Sequence, residues 1–111
     1  MKLKIKLYGL AATLIDGSGE FYKLDDNFNK IIPPHRILIG KYATPDVALY
    51  FPMAAGAVFE NGGIACHAAI LAREFGIPCI MGVKGIFDYL NSSEIIFLNS
   101  SLGEVLIYEN E

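Results

Sequence analysis

Residues 60–83 read ENGGIACHAAILAREFGIPCIMGV, and the order of residue types in this stretch decides the fold. A small-residue strand, Ala54 to Phe59, leads into it. Glu60-Asn61-Gly62-Gly63 has the composition of a loop. A helix is expected from Ala65 to Phe75, stopped by Gly76 as its C′ residue, with Pro78 just beyond. Cys79 to Val83 then reads as the next strand. The stretch is thus a strand, a glycine loop, a helix with His67 in its first turn, a glycine stop and another strand.

That position has chemical meaning. The first amides of a helix lack intrahelical partners, and the macrodipole makes that end positive. An anion such as phosphate is stabilised there. Gly62 and Gly63 carry no side chains to block approach and can adopt positive φ, which lets their amides point at the same anion. Neutral imidazole is a nucleophile, so His67 can acquire a phosphoryl group that the surrounding amides then hold. On a helical wheel the apolar stripe is Ala68, Leu71, Ala72 and Phe75. His67 lies at its edge on the side of Glu74, with Ala68 and Ala69 keeping the surroundings low. A lone histidine at a helix start is ordinarily a surface or capping residue, and a Gly-Gly loop is by itself a weak phosphate signal.

Outward from this unit, strands outnumber helices. Lys2 to Tyr8 alternates strictly, with Leu3, Ile5 and Leu7 on one face and Lys2, Lys4 and Lys6 on a solvated, edge-protecting face. Asp16 to Gly19 forms a turn and Glu20 to Leu24 the return strand of a hairpin; Asp25 to Lys30 is a polar loop. Pro33-Pro34 halts regular structure, and Arg36 to Gly40 reads as a short buried strand. Thr44-Pro45-Asp46 starts a short helix, Thr44 as N-cap and Pro45 at the first helical position, which Pro52 ends. Gly85 to Leu90 reads as helical and Asn91-Ser92-Ser93 as a turn. Glu94 to Leu98 and Glu104 to Tyr108 form a hairpin across Asn99 to Gly103. The expected class is a mixed α/β domain, one unit spanning residues 1–111.

Composition narrows the function. Of 111 residues 53% are apolar, enough for a core, and the net charge of -3 points to no polyanionic partner. The absence of a basic cluster beyond Lys2, Lys4 and Lys6 argues against nucleic acid. No apolar run approaches the length of a membrane span, and no signal-peptide segment opens the chain. Cys66 and Cys79 do not form a CxxC pair and are expected to be free thiols in a reducing, cytoplasmic compartment. Zinc would need two ligands beyond Cys66 and His67, so no metal site is expected. His35, after Pro-Pro, reads as structural and Cys79 as a buried strand residue. Arg73 and Glu74 read as partners in packing salt bridges, with contact to phosphate or a docking partner as the alternative for Arg73. Tyr42, Tyr50 and Phe51 read as core or docking surface.

The stretch GGIACHAAILAREFGIPCIMG resembles the signature of the mobile domain of phosphoenolpyruvate-utilizing enzymes, the family of pyruvate phosphate dikinase, phosphoenolpyruvate synthase, rifampicin phosphotransferase and Enzyme I. The paired glycines, His67, the alanines, Ala72-Arg73-Glu74 and Gly76-Ile77-Pro78 carry the resemblance. Ala43 to Asp46, Ala55-Gly56 and Gly103-Glu104-Val105 follow in the expected order. The resemblance implies a swivelling β/β/α phosphohistidine fold. It implies that His67 is the phosphoryl acceptor, with Gly62, Gly63, Cys66 and Ala68 supporting the phosphate. The carrier would shuttle the group between a nucleotide-binding domain and a phosphoenolpyruvate/pyruvate or other acceptor domain, in cis or in trans. Mg²⁺ and ATP or phosphoenolpyruvate are expected on those partners and no cofactor on this domain, which shows neither a Walker-type loop nor a cluster of metal carboxylates.

Three positions depart from the family pattern. Cys66 stands where Ser or Thr is common, and a thiol is a poor cap. Ala65 stands where some dikinases have a regulatory threonine. Leu98-Asn99-Ser100 replaces an acidic-glycine turn. The competing readings are a non-catalytic swivelling module for binding or regulation, and a small subunit of an aconitase-like hydro-lyase.

Overall fold

The structure, a computed structural model, describes residues 1–25, 31–91 and 93–110. Most of the expected Asp25 to Lys30 loop, and Ser92 of the expected 91–93 turn, lie outside the described residues. Eight strands form one continuous sheet: β1 (Lys2–Tyr8), β2 (Leu10–Ala11), β3 (Gly17–Lys23), β4 (Ile37–Gly40), β5 (Gly56–Phe59), β6 (Cys79–Met81), β7 (Glu94–Asn99) and β8 (Glu104–Glu109), in the order β1-β8-β7-β3-β4-β5-β6-β2. Helices α1 (His67–Phe75) and α2 (Ile86–Tyr89) and 3₁₀ segments over Pro45–Met53 and Ser100–Leu102 complete the described chain.

β3 joins two halves of different character. Its first residues pair with β7 antiparallel, Gly17 against Leu98 to Glu20 against Ile95. Its last pair with β4 parallel, Phe21 against Ile37 to Lys23 against Ile39. One half is therefore the antiparallel run β1-β8-β7-β3; the other is the parallel run β3-β4-β5-β6, closed by the short antiparallel β2.

Side-chain alternation sorts the parallel strands between two cores. Leu38, Ala57, Phe59, Cys79 and Met81 point to a cluster completed by Val47 and Phe51 and by Ala68, Ala69 and Ala72 of α1. Ile37, Ile39, Val58 and Ile80 point to the opposite face, where Ile96, Leu98, Val105 and Ile107 of the antiparallel half meet them, with Ile86 and Leu90. The layers are thus sheet, sheet and helix, the expected β/β/α arrangement. Gly56 sits where the two halves of the sheet pack tightly: a Cβ there would lie 2.9 Å from Leu98 Cδ1 and 3.0 Å from Ile37 Cδ1.

Several local expectations need correction. β3 is not the return strand of a hairpin with β1: β8 and β7 lie between them. Alternation reveals which face of a strand is buried, not its neighbour. β1 is an edge strand paired only to β8, yet Lys4 is no freely solvated lysine. Its Nζ donates to Glu94 at 2.6 Å, and the Glu94 side chain is only 2% exposed. The helix after Thr44 is 3₁₀ and runs through Pro52 to Met53, and the Thr44 side chain makes no cap hydrogen bond. A 3₁₀ segment tolerates Pro52 because proline removes a donor but keeps a helical φ. The first strand of the central unit starts at Gly56 and the second ends at Met81, where Gly82 turns to φ 74°. The β7–β8 hairpin is as expected, closed by Gly103 at φ 65°.

Candidate functional site

α1 begins at His67, two residues later than expected, because Gly63 to Cys66 form a turn closed by Cys66 N–H donating to Gly63 O at 3.1 Å. Cys66 is the N-cap in extended conformation, and its thiol makes no cap hydrogen bond. The first helical bond runs from Ile70 N–H to Cys66 O. The N–H groups of His67, Ala68 and Ala69 are those an α-helix leaves without an intrahelical acceptor. His67 occupies the first helical position with an exposed side chain that has no hydrogen-bond partner among the described residues. At the far end, Gly76 takes the left-handed conformation (φ 68°) and donates to Ala72 O, as its place before Ile77-Pro78 requires.

The buried face of α1 is Ala68, Ala69 and Ala72, with Leu71 half-buried and Phe75 46% exposed. This narrows the expected stripe of Ala68, Leu71, Ala72 and Phe75 and adds Ala69. Three alanines let the helix axis lie close to the sheet. Phe75 instead lies at the margin, its ring edge-on to Phe51 at 6.5 Å.

The paired glycines are not equivalent. Gly62 has φ 112°, and a Cβ on it would come within 2.9 Å of Met81 Cε and 3.5 Å of Cys66 Sγ. Its need for glycine is conformational and steric. Gly63 has no positive φ, and a Cβ there would meet nothing within 4 Å. The space on the Cβ side of Gly63 is therefore open.

Other contacts fix this loop. Asn61 Nδ2 donates to Lys41 O at 2.8 Å, and Lys84 Nζ donates to Asn61 Oδ1 at 2.5 Å. Glu60 Oε2 accepts from Phe87 N–H at 2.9 Å. Among the described residues Arg73 forms no salt bridge of the expected kind. Its Nε donates to Ala12 O at 2.8 Å and its Nη2 to Ile64 O at 2.5 Å. Glu74 is exposed and forms no ion pair among the described residues. The roles of Asn61 and Arg73 were invisible in the sequence, since each reaches a carbonyl far along the chain.

Both cysteines are free thiols. Cys79 is fully buried, and burial pushes its thiol up to about 12, so it stays protonated at neutral pH. Cys66 is half-buried beside Met81 and the Gly62 backbone. His35 is exposed at φ 62°, the one non-glycine positive φ among the described residues, and its backbone N–H donates to Met53 O at 2.8 Å. Phe51 is core, Tyr50 half-buried and Tyr42 69% exposed. Among the described residues no three His, Cys, Asp or Glu side chains gather to hold a metal ion. None of the described helices is long and apolar enough to cross a membrane.

Comparison with known proteins places this geometry in context. Residues 32–103 match the family model described as "PEP-utilising enzyme, mobile domain". The chain is 33% identical over 101 residues to a probable phosphoenolpyruvate synthase of Methanothermobacter thermautotrophicus, covering 91% of this chain and 14% of that protein. It is 34% identical over 116 aligned positions to the phosphoenolpyruvate synthase of Helicobacter pylori, covering 99% of this chain and 14% of that one. The chain therefore spans about one seventh of these curated relatives. Among solved structures, an Enzyme I (nEIt) solution structure matches 72% of this chain and 33% of its own with TM-score 0.61 at 22% identity. Aconitase X of Thermococcus kodakaraensis matches 96% of this chain and 100% of its own with TM-score 0.70 at 17% identity. At these identities the structural likenesses show the fold alone.

Proposed function

The chain belongs to the mobile-domain family of phosphoenolpyruvate-utilising enzymes, and on that premise we propose that it is a phosphoryl carrier whose acceptor is His67. A ring nitrogen of His67 attacks the phosphorus of a donor phosphate. A P–N bond forms as the donor's P–O bond breaks, the departing oxygen keeps the electron pair, and the imidazole gives up its ring proton. The second transfer reverses these roles at the acceptor. The amides of His67, Ala68 and Ala69 and the open backbone at Gly63 would receive the phosphoryl oxygens, while Gly62 keeps the loop in its required conformation.

The observation that carries this reading is the exposed, unpartnered His67 at the head of an uncapped helix. Phosphoryl transfer is driven by positioning and by metal-assisted charge stabilisation. This chain supplies the positioning, and partner domains would supply nucleotide, phosphoenolpyruvate or another acceptor, and Mg²⁺. The test is transfer: with ATP, Mg²⁺ and a phosphoenolpyruvate synthase lacking its own mobile domain, the chain should gain one phosphoryl group. The isolated chain should hydrolyse neither ATP nor phosphoenolpyruvate at a useful rate.

A second reading, a small subunit of an aconitase-like hydro-lyase, is favoured by one observation: the aconitase X chain is matched over its full length. It leaves the glycine loop and His67 without a task. A chain that no donor labels, but that completes a hydro-lyase, would establish it.

A further inference from the structure

We propose that Arg73 is a positioning residue that holds the turn in front of His67, an inference that rests on the carrier reading. Arg73 lies in the last turn of α1, yet its guanidinium is shared between two backbone carbonyls on separate segments. Nε donates to Ala12 O, just past β2, and Nη2 to Ile64 O, inside the Gly63 to Cys66 turn. The Ala12 end is itself anchored. Ala12 N–H donates to Cys79 O at 2.9 Å, the Thr13 hydroxyl donates to Ile77 O at 2.9 Å, and that hydroxyl accepts from Cys79 N–H at 3.2 Å. Arg73 thereby ties the turn to the start of β6 and the fixed end of the sheet.

This tether replaces a missing constraint. A Ser or Thr N-cap would tie residue 66 to the first turn of α1 through its own hydroxyl, whereas Cys66 makes no such bond. The far side of the loop is braced through Asn61 by Lys84 and Lys41. Between that brace and His67, the described side-chain bond on the turn is the one from Arg73. A planar fork with two diverging donors spans two carbonyls; a lysine ammonium on a flexible stem satisfies one at a time. Arg73 and His67 lie six residues apart on different faces of α1, and the bonds Arg73 makes are to the backbone carbonyls of Ala12 and Ile64. It acts through Ile64, by fixing where His67 and the free amides stand.

Phosphoramidate provides a donor-independent test. Its P–N bond breaks, a P–N bond to the histidine forms and ammonia leaves, so no partner domain is needed. The chain holds two histidines, and exposed His35 is the internal reference. In the folded wild type, His67 should be labelled faster than His35, and in urea the two should converge. Arg73→Ala, with its fold checked by a thermal melt, should lower the His67/His35 ratio on the order of tenfold, the scale of a small displacement of a reacting group. Arg73→Lys should recover part of it. Amide exchange at Ala65 and Cys66 should quicken in both variants. If Arg73→Ala does not fold, Arg73→Lys decides: an unchanged ratio overturns the proposal. A folded Arg73→Ala with wild-type ratio and wild-type exchange overturns it as well. If wild-type His67 is labelled no faster than His35, the carrier reading falls instead, and exchange at Ala65 and Cys66 alone decides whether Arg73 holds the turn.

Discussion

The two histidines of this chain are both exposed, and both stand where a loop enters regular structure. His35 precedes β4 at φ 62°, its backbone N–H bonded to Met53 O and a carbonyl 3.2 Å from the position a Gly19 Cβ would take. His67 opens α1 with relaxed helical backbone, beside an open glycine and three amides that the helix leaves free. Exposure is common to both; what differs is the backbone around them. At His35 the backbone is committed to packing and the side chain is incidental. At His67 the backbone is left available, and the side chain is what the local structure presents.

The comparison can be broken most severely by His67→Ala. Donor-dependent labelling should vanish while the melting temperature stays within about a degree or two, since an exposed side chain contributes within ±0.5 kcal/mol. His35→Ala should leave labelling at the wild-type level. Equal loss in the two variants, measured by intact mass, would erase the distinction.

A second contrast lies between the glycines. Gly62→Ala forces a Cβ against Met81 Cε at positive φ and should cost about 1–3 kcal/mol by chemical denaturation. Gly63→Ala meets no neighbour and should leave stability nearly unchanged. If an anion uses the space beside Gly63, labelling should nevertheless fall in Gly63→Ala. A variant that keeps both stability and labelling removes Gly63 from the site.

Smaller effects are expected around the loop. Cys66→Ser supplies the absent cap and should stabilise α1 by about 0.5–1 kcal/mol, less whatever packing the sulfur gave up beside Met81. In the native state a thiol reagent should modify Cys66 well before Cys79, which burial keeps protonated. Comparable rates would mean that the core opens. His35→Gly relieves the left-handed strain and should change stability by only a few tenths to about 1 kcal/mol, towards greater stability.

The antiparallel half supplies the pH dependence. Burial pushes the Glu94 carboxyl up, but the Lys4 ammonium and the Asn91 N–H outweigh it and hold Glu94 below the usual carboxylate range. Its contribution is therefore present above the unfolded-state carboxylate pKa and is lost as pH falls through the folded value. The Glu94 hydrogen bond holds the Lys4 ammonium above its ordinary value, so that contribution is present at neutral pH and fades in strong alkali. Lys4→Met should move the acid-unfolding midpoint to higher pH, read by circular dichroism.

How much of this could be read from the sequence depends on range. The unit from Ala54 to Val83 was legible because its signals are local: a glycine loop, a helix with Gly76-Ile77-Pro78 at its end, and small residues facing the sheet. The family resemblance added the layer order. The partner of β3 was not legible, because β7 lies more than seventy residues away and alternation is silent on neighbours. The 3₁₀ form of Pro45–Met53 was hidden because Thr-Pro-Asp announces a helix start without its pitch. In the candidate site, the placement of His67 at the start of a helix behind a glycine loop was legible, but the contacts of Arg73 and Asn61 were not, since each bonds a distant carbonyl.

The fate of one phosphoryl group decides whether His67 is the acceptor. The wild-type chain is incubated with ATP, Mg²⁺ and a phosphoenolpyruvate synthase deprived of its mobile domain, then analysed by intact mass and peptide mapping. A single phosphoryl addition on His67 is expected, one that survives alkali and disappears on mild acidification, as a phosphoramidate must. A label that persists in His67→Ala, or one that resists acid like a serine ester, would contradict it.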